Sequence, residues 1–477
     1  MANKPITVKG INPKRVNTTS LNVNKHQKKK KPILKKMVSS STPDTPSIAK
    51  VAPASLAEPV AQETSWPVLS DKAFPGWIGA FVRLACEYSE ADPVAVLVTL
   101  LLRIAAEVYG VYFNIGDDKQ MARTNAVLVG DSAKARKGTS AKPVMRLFRG
   151  LKNSARVTPG PLTSGPGLVY HVRDATKEFD RKTGLYIVTD EGVADKRLFV
   201  LEEEFETTLS CVRRGGNYLS ATVRCFFDDG TSEPLTKTSK IKATKAHVVI
   251  LAHITREELT AVMNKVQMTN GFGNRFLWIL VRRQKPIAMP KAMPASEVEA
   301  FRKILAKNIE AAKKLGALTM TSTAAKLWDD SYPELTMDFS GTAGAMSNRS
   351  ETHTIRVAEI YAIARGHEKI QSTDLEAAIE VVKYSRVSTS IIFQGCPDDS
   401  QKVKILQALR DADNNELSLT EINVDVFKRN ISSEDIRKML SELESAKLAV
   451  ITVTKDSETG RNKTMVTLAS VGAVKPD

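Results

Sequence analysis

The sequence has few cysteines, and their spacing argues against two classes of small domain. There are four, Cys86, Cys211, Cys225 and Cys396, and no two of them form a Cys-x-x-Cys pair. Zinc sites and disulfide frameworks depend on closely spaced or numerous cysteines. We therefore expect neither, and we expect a reducing, cytoplasmic environment.

Long apolar runs are also missing. A membrane-spanning helix needs roughly 20 consecutive apolar residues, and the closest candidate, Val94 to Ala106, is interrupted by Thr99 and Arg103. The basic first residues are not followed by the apolar stretch of a secretory signal. We expect a protein with no membrane span and no secretory leader.

Acidic residues are absent from the start of the sequence. The first is Asp44, the segment before it is rich in lysine, and the chain has a net charge of +16. Such a segment repels itself and cannot bury a core, so residues 1–65 are predicted to be a disordered basic tail and linker. The tail would attract nucleic acid in a salt-dependent manner, or it serves only to keep the protein soluble.

The rest has an ordinary globular composition, with 42% hydrophobic and 26% charged residues. A helical region is predicted for residues 66–120, in which Asp92 and Pro93 begin a helix that is apolar nearly all round. Residues 121–290 alternate apolar strands with loops and helices, which predicts an α/β core with a mainly parallel sheet. The strand candidates are Ala126–Val129, Leu185–Thr189, Leu198–Leu201, Val248–Ala252 and Phe276–Val281.

Two further domains are predicted beyond this core. Residues 291–395 have a helical pattern and are expected to form a helical lid, and residues 398–470 contain three helix candidates and a hairpin, the elements of a C-terminal winged helix. The third helix carries Arg437 and Lys438 but also acids, so DNA contact is predicted and docking onto a protein is the alternative. The basic residues of the hairpin are Lys455, Arg461 and Lys463.

The turn after the first core strand has the layout of a phosphate-binding loop. It is VGDSAKARKGTS, from Val129 to Ser140, and a helix-like segment follows. Such loops hold an anion with backbone N–H groups and a lysine, and a hydroxyl binds Mg²⁺. The spacing departs from GxxxxGK[ST], so a solvated basic turn is the alternative. The candidate nucleotide contacts are Gly130, Arg136, Lys137, Gly138, Thr139 and Ser140, of which Thr139 and Ser140 are also candidate Mg²⁺ ligands.

A second strand ends in acids, in the run RLFVLEEEF from Arg197 to Phe205. A triphosphatase needs one carboxylate that holds Mg²⁺ and a neighbour that polarises the attacking water. Glu202 and Glu203 are the candidates for these catalytic roles, and Glu202 is the candidate for the metal. The alternative is that these acids only stabilise the first turn of a following helix.

Two further candidates follow along the chain. Ligands of nucleotide-binding sheets lie off the carboxyl ends of the strands, so His253 or Thr255 is a candidate sensor of the γ-phosphate, with a structural role as the alternative. Arg275 precedes the last strand and is a candidate arginine finger for a neighbouring subunit, as are Arg282 and Arg283 after that strand. A surface or core-edge arginine is the alternative. The order of these four motifs is the one expected of RecA- or AAA-like ring motors, with ATP and Mg²⁺ as cofactors.

From about Phe74 to Ile392 the chain resembles helicase-like P-loop proteins of plasmids, prophages and integrated elements that are catalogued as a domain of unknown function. The likeness is carried by GDSAKARKGTS, LTSGPGLVYHVRD, RLFVLEEEF, AHITREEL and NGFGNRFLW. The resemblance implies that Lys137 binds phosphate, that Thr139 or Ser140 binds Mg²⁺, that Glu203 or Glu202 forms the acidic motif, and that Arg275 is the finger. Pro166 stands where the family more often has an acid.

These patterns together predict an ATP-dependent DNA motor that is helicase-like and forms a homo-oligomeric ring such as a hexamer. It would act on single-stranded or forked DNA in the replication of a mobile genetic element, with a primase or a replication initiator as a further partner. Channel loops are predicted around Lys237, Lys240, Lys242 and Lys245. The alternative is a DNA-binding initiator, adaptor or regulator that uses nucleotide as a switch without unwinding, and a third option is a defence or partition ATPase.

Overall fold

The computed structural model describes residues 66–131, 135, 137–214, 216–233, 241–262, 271–337, 341–393, 397–445, 448–455 and 462–469. Four of the predicted site residues, Arg136, Lys237, Lys240 and Arg461, lie outside them, as do the predicted tail and the side chain of Lys455. No helix within the described ranges is both long enough and apolar enough to span a membrane.

The centre of the fold is a five-stranded, all-parallel sheet. It confirms the predicted α/β class and is compatible with a P-loop-like core. The strands are β3 (Asn125–Val129), β4 (Arg156–Pro159), β7 (Arg197–Glu202), β8 (His247–Ile254) and β9 (Phe276–Leu280). Their spatial order is β4-β7-β8-β3-β9, so that β8 lies between β3 and β7.

One of the five strand candidates is placed elsewhere. The apolar run Leu185–Thr189 lies in β6 (Leu185–Asp190), which pairs only with β5 (Thr176–Asp180) in a hairpin outside the sheet. Most of its side chains are exposed, so its apolar character does not reflect burial. The fifth strand of the sheet is instead β4, whose side chains are exposed or partly exposed and gave no apolar signal.

Helices cover both faces of the sheet. One face packs against α1 (Gly76–Glu87), α2 (Pro93–Glu107) and α3 (Lys137–Phe148), and the other against α4 (Gly165–Tyr170), α5 (Phe205–Arg213), α6 (Leu219–Asp228) and α7 (Arg256–Val262). Successive strand residues alternate between the two cores, as the pleat requires: Leu128 belongs to the first and Val129 to the second. The parallel strands are therefore apolar throughout because both faces are covered.

The start of α2 follows the sequence prediction. Asp92 caps the helix by accepting a hydrogen bond from the backbone N–H of Val94 at 2.9 Å, and Pro93 occupies the first turn, where no backbone N–H is needed. Every residue from Val94 to Glu107 is buried. Its polar residues are paired: Arg103 forms an ion pair with Glu107 across one helical turn.

The second helical region shares its core with the sheet. Its helices are Ala295–Ala312, Ser322–Leu335, Gly341–Ser347, Ser350–Arg365 and Ser372–Ile392. Residues of the fourth and fifth pack in the same hydrophobic cluster as α1 and α2. The hydroxyl of Tyr384 donates to the carbonyl of Leu280 at 2.7 Å, which ties the last helix to β9. A small sheet of order β10-β1-β2 joins β1 (Tyr112–Ile115), β2 (Asp118–Met121) and β10 (Ala317–Leu318).

The C-terminal segment has a hydrophobic cluster of its own. Its helices are Pro397–Asp411, Leu419–Glu421 with a π-helical continuation over Ile422–Val426, and Ser433–Ser445. Its strands β11 (Glu416–Ser418), β12 (Ala449–Lys455) and β13 (Asn462–Leu468) form an antiparallel sheet of order β11-β13-β12. Ser418 and Glu421 form a capping box, which explains why the second helix begins there. A winged helix has such elements, and it stays a prediction for this segment.

The sheet interior and the hairpin surface should respond differently to the same substitution. Leu128 is 0% exposed at the centre of β3, whereas Leu185 in β6 is 66% exposed. Leu128→Ala is expected to lower the free energy of unfolding by about 2–5 kcal/mol, and Leu185→Ala by less than about 0.5 kcal/mol. Urea denaturation followed by far-UV circular dichroism measures both, and equal losses would contradict the assigned burial.

Candidate functional site

Polar residues follow three neighbouring strands at one edge of the sheet. Gly130 follows β3, Glu203 follows β7, and Thr255 follows β8. Because all five strands are parallel, their carboxyl ends lie at this same edge. Since β8 lies between β3 and β7, the turn after β3 faces the acidic end of β7 across a single strand.

The turn after β3 is closely packed around Gly130. A Cβ at this position would lie 2.6 Å from both the Val281 carbonyl oxygen and the Ala135 Cβ, so only glycine fits. The backbone N–H of Gly130 donates to the Ile254 carbonyl at 3.3 Å, which joins the turn to β8. The backbone N–H of Ala135 donates to the Asp131 carbonyl at 3.3 Å. Asp131 and Ala135 are therefore held close together shortly before α3 begins at Lys137.

Lys137 points back towards the turn that precedes it. Its Nζ donates to the Gly130 carbonyl at 3.0 Å. Burial lowers the pKa of Lys137, and the carboxylates of Glu258 and Asp131 act in the opposite direction. Glu258 also caps α7, because it accepts a hydrogen bond from the Thr255 N–H while the Thr255 hydroxyl accepts one from the Glu258 N–H. The spacing Thr-x-x-Glu is the signal from which this neighbour of the lysine could have been predicted.

The two hydroxyls predicted to bind Mg²⁺ have different surroundings. The Ser140 hydroxyl is buried and donates to the Lys137 carbonyl at 2.6 Å. Thr139 is partly exposed and lines a cavity of about 560 Å³ together with Tyr88, Lys142 and Arg146. Of the two, only the Thr139 side chain reaches solvent.

Glu203 lies against the first turn of α3. Its side chain is exposed, and a Cβ on Gly138 would lie 3.3 Å from its Oε1. The absence of a side chain at position 138 therefore leaves space for the carboxylate close to the helix. Negative charge is favoured beside a helix N-terminus because the backbone N–H groups there are unpaired within the helix. The structure therefore places the Glu203 carboxylate beside Gly138, the residue that follows Lys137.

Glu202 does not join them, which corrects the expectation of a paired catalytic and metal-binding role. It points to the opposite face of the sheet, where it is 1% exposed. Its carboxylate accepts hydrogen bonds from the Leu162 N–H at 2.7 Å, the Glu204 N–H at 3.0 Å and the Thr208 hydroxyl at 2.9 Å. A Cβ on Gly160 would overlap it. Glu202 therefore anchors the loops after β4 and β7.

His253 is buried beside the lysine. It is 3% exposed, it pairs in register with Leu128 of β3, and within the described part of the chain its Nε2 has no hydrogen-bond partner. Burial lowers the pKa of His253 to about 4, and the positive charge of Lys137 adds to the effect. The strand pleat places His253 on the same face as α3, because Leu251 faces that core. His253 is therefore a buried, neutral imidazole close to Lys137.

Arg275 lies at the end of the sheet opposite the turn at Gly130, and its predicted role as a finger for a neighbouring subunit stays a prediction. It directly precedes β9, whose first residue pairs with Asn125 at the start of β3. Arg275 is 9% exposed, donates to the Gly271 carbonyl at 2.7 Å and forms an ion pair with Asp228 at 2.9 Å. These contacts occupy the guanidinium inside its own subunit.

Arg282 and Arg283 follow β9 and therefore lie at the site edge. The Arg282 guanidinium carbon lies 4.7 Å from the ring centroid of Trp66, and its backbone N–H donates to Asp92 at 3.0 Å. Arg283 is exposed and lies 3.7 Å from a Glu90 carboxylate oxygen. These two arginines, unlike Arg275, therefore lie at the same edge of the sheet as Gly130 and Glu203.

The described candidates for DNA contact are all at the surface. Lys242 is exposed and lies 3.5 Å from a Glu233 carboxylate oxygen, and Lys245 is exposed in a left-handed conformation just before β8, so both lie at the edge opposite the site. In the C-terminal segment, Arg437, Lys438 and Lys463 are exposed as well. Arg437 and Lys438 lie between the buried residues Ile436 and Met439, so their helix presents the cations outward.

No cluster of three or more His, Cys, Asp or Glu side chains that could hold a metal by themselves is found in the described ranges. Compared with models of known protein families and with curated proteins, the chain matches none of them.

The two neighbouring glutamates provide a matched test of these placements. Glu202→Ala removes the acceptor of three hydrogen bonds and is expected to lower the free energy of unfolding by about 1–3 kcal/mol, because the buried donors lose their partner. Glu203→Ala removes an exposed side chain and should change it by less than about 0.5 kcal/mol. Thermal and urea denaturation of both variants measure the difference, and the reverse order would refute the assignment.

His253 should make the protein sensitive to mild acid. Its pKa is about 4 in the folded chain and 6.5 when unperturbed, so between these values the unfolded chain binds the extra proton. Stability is therefore lost as pH falls from 6.5 towards 4. Between pH 7 and pH 5 the wild type should lose about 2 kcal/mol more than His253→Gln. Urea denaturation across this range measures the loss, and identical pH profiles would exclude a buried neutral His253.

Proposed function

We propose that the chain is a P-loop ATPase whose triphosphate is held at the turn between Gly130 and α3. The observation that carries the proposal is the position of the Glu203 carboxylate beside Gly138, in the turn of helix that begins with Lys137. A lysine, a helix N-terminus and an exposed carboxylate from the next strand but one are the groups that phosphoryl transfer requires. The order of the strands, with β8 between β3 and β7, supports the same proposal.

Each residue has a defined task in this proposal. Lys137 neutralises the phosphates once its hydrogen bond to the Gly130 carbonyl is exchanged for them. Glu203 orients the attacking water and accepts its proton. His253 would sense the terminal phosphate from its place beside Lys137. Its Nε2 has no hydrogen-bond partner within the described residues. Glu202 holds the neighbouring loops in place and takes no part in the chemistry.

The residues present fit a Mg²⁺–ATP complex. Thr139 and Glu203 provide hard oxygen atoms that reach solvent, and Mg²⁺ prefers such ligands and keeps part of its coordination for phosphate and water. Bound Mg²⁺ would withdraw charge from the phosphates during transfer. Thr139 is preferred over Ser140 because the Ser140 hydroxyl is buried and already bonded.

We further propose that hydrolysis drives movement on DNA, as the resemblance to helicase-like proteins of mobile elements implies. The exposed Arg437, Lys438 and Lys463 of the C-terminal segment would contact DNA phosphates, in keeping with a winged helix. In a homo-oligomeric ring, an arginine finger must be exposed so that it can reach the nucleotide of the neighbouring subunit. Arg283 is the proposed finger, since Arg275 is paired with Asp228 at the other edge.

A second candidate is a DNA-binding initiator, adaptor or regulator in which bound nucleotide acts as a switch. It is favoured by the hydrogen bonds that Glu202 accepts from the Leu162 N–H and the Thr208 hydroxyl. With Glu202 bonded in this way, only Glu203 of the pair is available for catalysis, whereas a motor is expected to use two carboxylates. Nucleotide binding without turnover, in the presence and absence of single-stranded DNA, would support the switch. DNA-stimulated turnover with strand separation would support the motor.

Two substitutions separate nucleotide binding from catalysis. Lys137→Ala should abolish ATP binding because the phosphates lose their counter-charge. Glu203→Gln should keep binding but lower turnover by roughly 10²–10⁴-fold, because a carboxamide cannot accept the proton. Binding of a fluorescent ATP analogue and phosphate release are the measurements.

The control for these variants is Lys152→Ala, which removes an exposed lysine beyond the far end of α3 and should leave both measurements unchanged. Undiminished phosphate release by Lys137→Ala, with the protein folded by circular dichroism, would exclude the proposed site.

A further inference from the structure

The hairpin of β5 and β6 projects an apolar surface into solvent. Among the described strands it pairs with no other, so neither of its faces is covered by the sheet. Large apolar residues exposed in this way are unusual, and a contiguous group of them marks an interaction surface. The exposed ones are Phe179, Leu185, Tyr186, Ile187 and Val188, and Tyr186 is the most exposed at 71%.

The strand register sorts the side chains of the hairpin into two chemically different faces. Lys177 pairs with Val188 and Phe179 pairs with Tyr186, so these four share one face. The rings of Phe179 and Tyr186 have centroids 5.4 Å apart. We call these four residues the aromatic face, and none of the four is acidic.

The opposite face of the hairpin carries the acids. Glu178 pairs with Ile187 and Asp180 pairs with Leu185. Both faces carry apolar side chains, but only the aromatic face combines rings with a positive charge.

The hairpin is held firmly at its base and at its tip. At the base, Arg173 donates two hydrogen bonds to the Asp190 carboxylate, at 2.6 and 2.9 Å. At the tip, the Asp180 carboxylate accepts from the Lys182 N–H at 2.9 Å and the Thr183 hydroxyl at 2.8 Å. A two-stranded hairpin is marginally stable by itself, so these bonds keep the aromatic rings in a fixed place.

The turn adds two cations at the tip of the hairpin. Arg181 and Lys182 are both exposed and follow β5 directly. Aromatic rings that stack on bases, flanked by cations that contact the phosphates, form the usual surface for single-stranded nucleic acid. A protein partner would gain from the rings as well, but the absence of acids from this face favours a polyanion.

We propose that the aromatic face of this hairpin binds single-stranded DNA, with bases stacked on Phe179 and Tyr186 and phosphates contacted by Lys177, Arg181 and Lys182. The choice of DNA rests on the proposed function, whereas the stacking surface does not require ATP turnover. The site lies outside both regions in which the sequence predicted DNA contacts, namely the channel loops around Lys237 to Lys245 and the C-terminal segment.

Fluorescence anisotropy with a labelled oligo(dT) tests the proposal on the full-length protein. The double variant Phe179→Ala/Tyr186→Ala should weaken binding roughly 10- to 100-fold, since each stacked ring contributes strongly to affinity. Tyr186→Phe keeps the ring and should bind as the wild type does. The matched control Leu185→Ala/Ile187→Ala removes exposed apolar groups from the opposite face and should leave the affinity unchanged.

Several results would overturn the proposal. They are unchanged affinity in the aromatic double variant, an equal loss in the opposite-face control, tighter binding of oligo(rU) than of oligo(dT), or no binding of oligo(dT) by the wild type. A change of oligomeric state in the aromatic variant, seen by mass photometry, would show that a second copy of the chain occupies the face.

Phosphate release, measured in parallel with and without DNA, separates this proposal from the proposed function. If the wild type binds oligo(dT) through the aromatic face but releases no phosphate under either condition, the ATPase assignment fails and the hairpin assignment stands. If basal phosphate release persists in the aromatic variant while its DNA affinity falls, both assignments stand.

Discussion

The parallel direction of the five central strands is the constraint on which the rest of the molecule depends. Parallel strands need crossover connections, and these place helices on both faces of the sheet and leave the strand ends as the available places for polar groups. The turn at Gly130, the carboxylate of Glu203 and the imidazole of His253 lie on the same side of the molecule because their strands end at the same edge. Arg275 is excluded from this edge for the same reason, since it precedes its strand.

Strand alternation explains why two adjacent glutamates have unrelated roles. Glu202 is the last residue of β7 and faces the core of α5, where backbone N–H groups and Thr208 satisfy its charge. Glu203 follows on the other side and reaches the first turn of α3. Two glycines make both positions possible, because Gly160 leaves space for one carboxylate and Gly138 for the other. The site is thus built by small residues as much as by charged ones.

The sequence predicted the fold better than it predicted the details of the site. Apolar runs predicted four strands of the sheet, and the pair Asp92-Pro93 predicted the start of α2. Leu185–Thr189 was assigned to the sheet because an apolar run does not reveal whether it is buried, and here it is exposed. Glu202 is predicted to bind the metal because the sequence does not show that β7 ends with Glu202 on the face that packs against α5. The edge on which Arg275 lies likewise depends on the direction of β9 relative to its neighbours.

The central claim is that a triphosphate occupies the turn at Lys137 and faces Glu203. Cryo-electron microscopy of the protein with a slowly hydrolysed ATP analogue and Mg²⁺ tests it most directly. The account predicts density for the phosphates between Gly130 and the first turn of α3, with the Lys137 ammonium bonded to them and Glu203 facing the terminal phosphate. Nucleotide density at any other place, with the Lys137 ammonium still bonded to the Gly130 carbonyl, would contradict it.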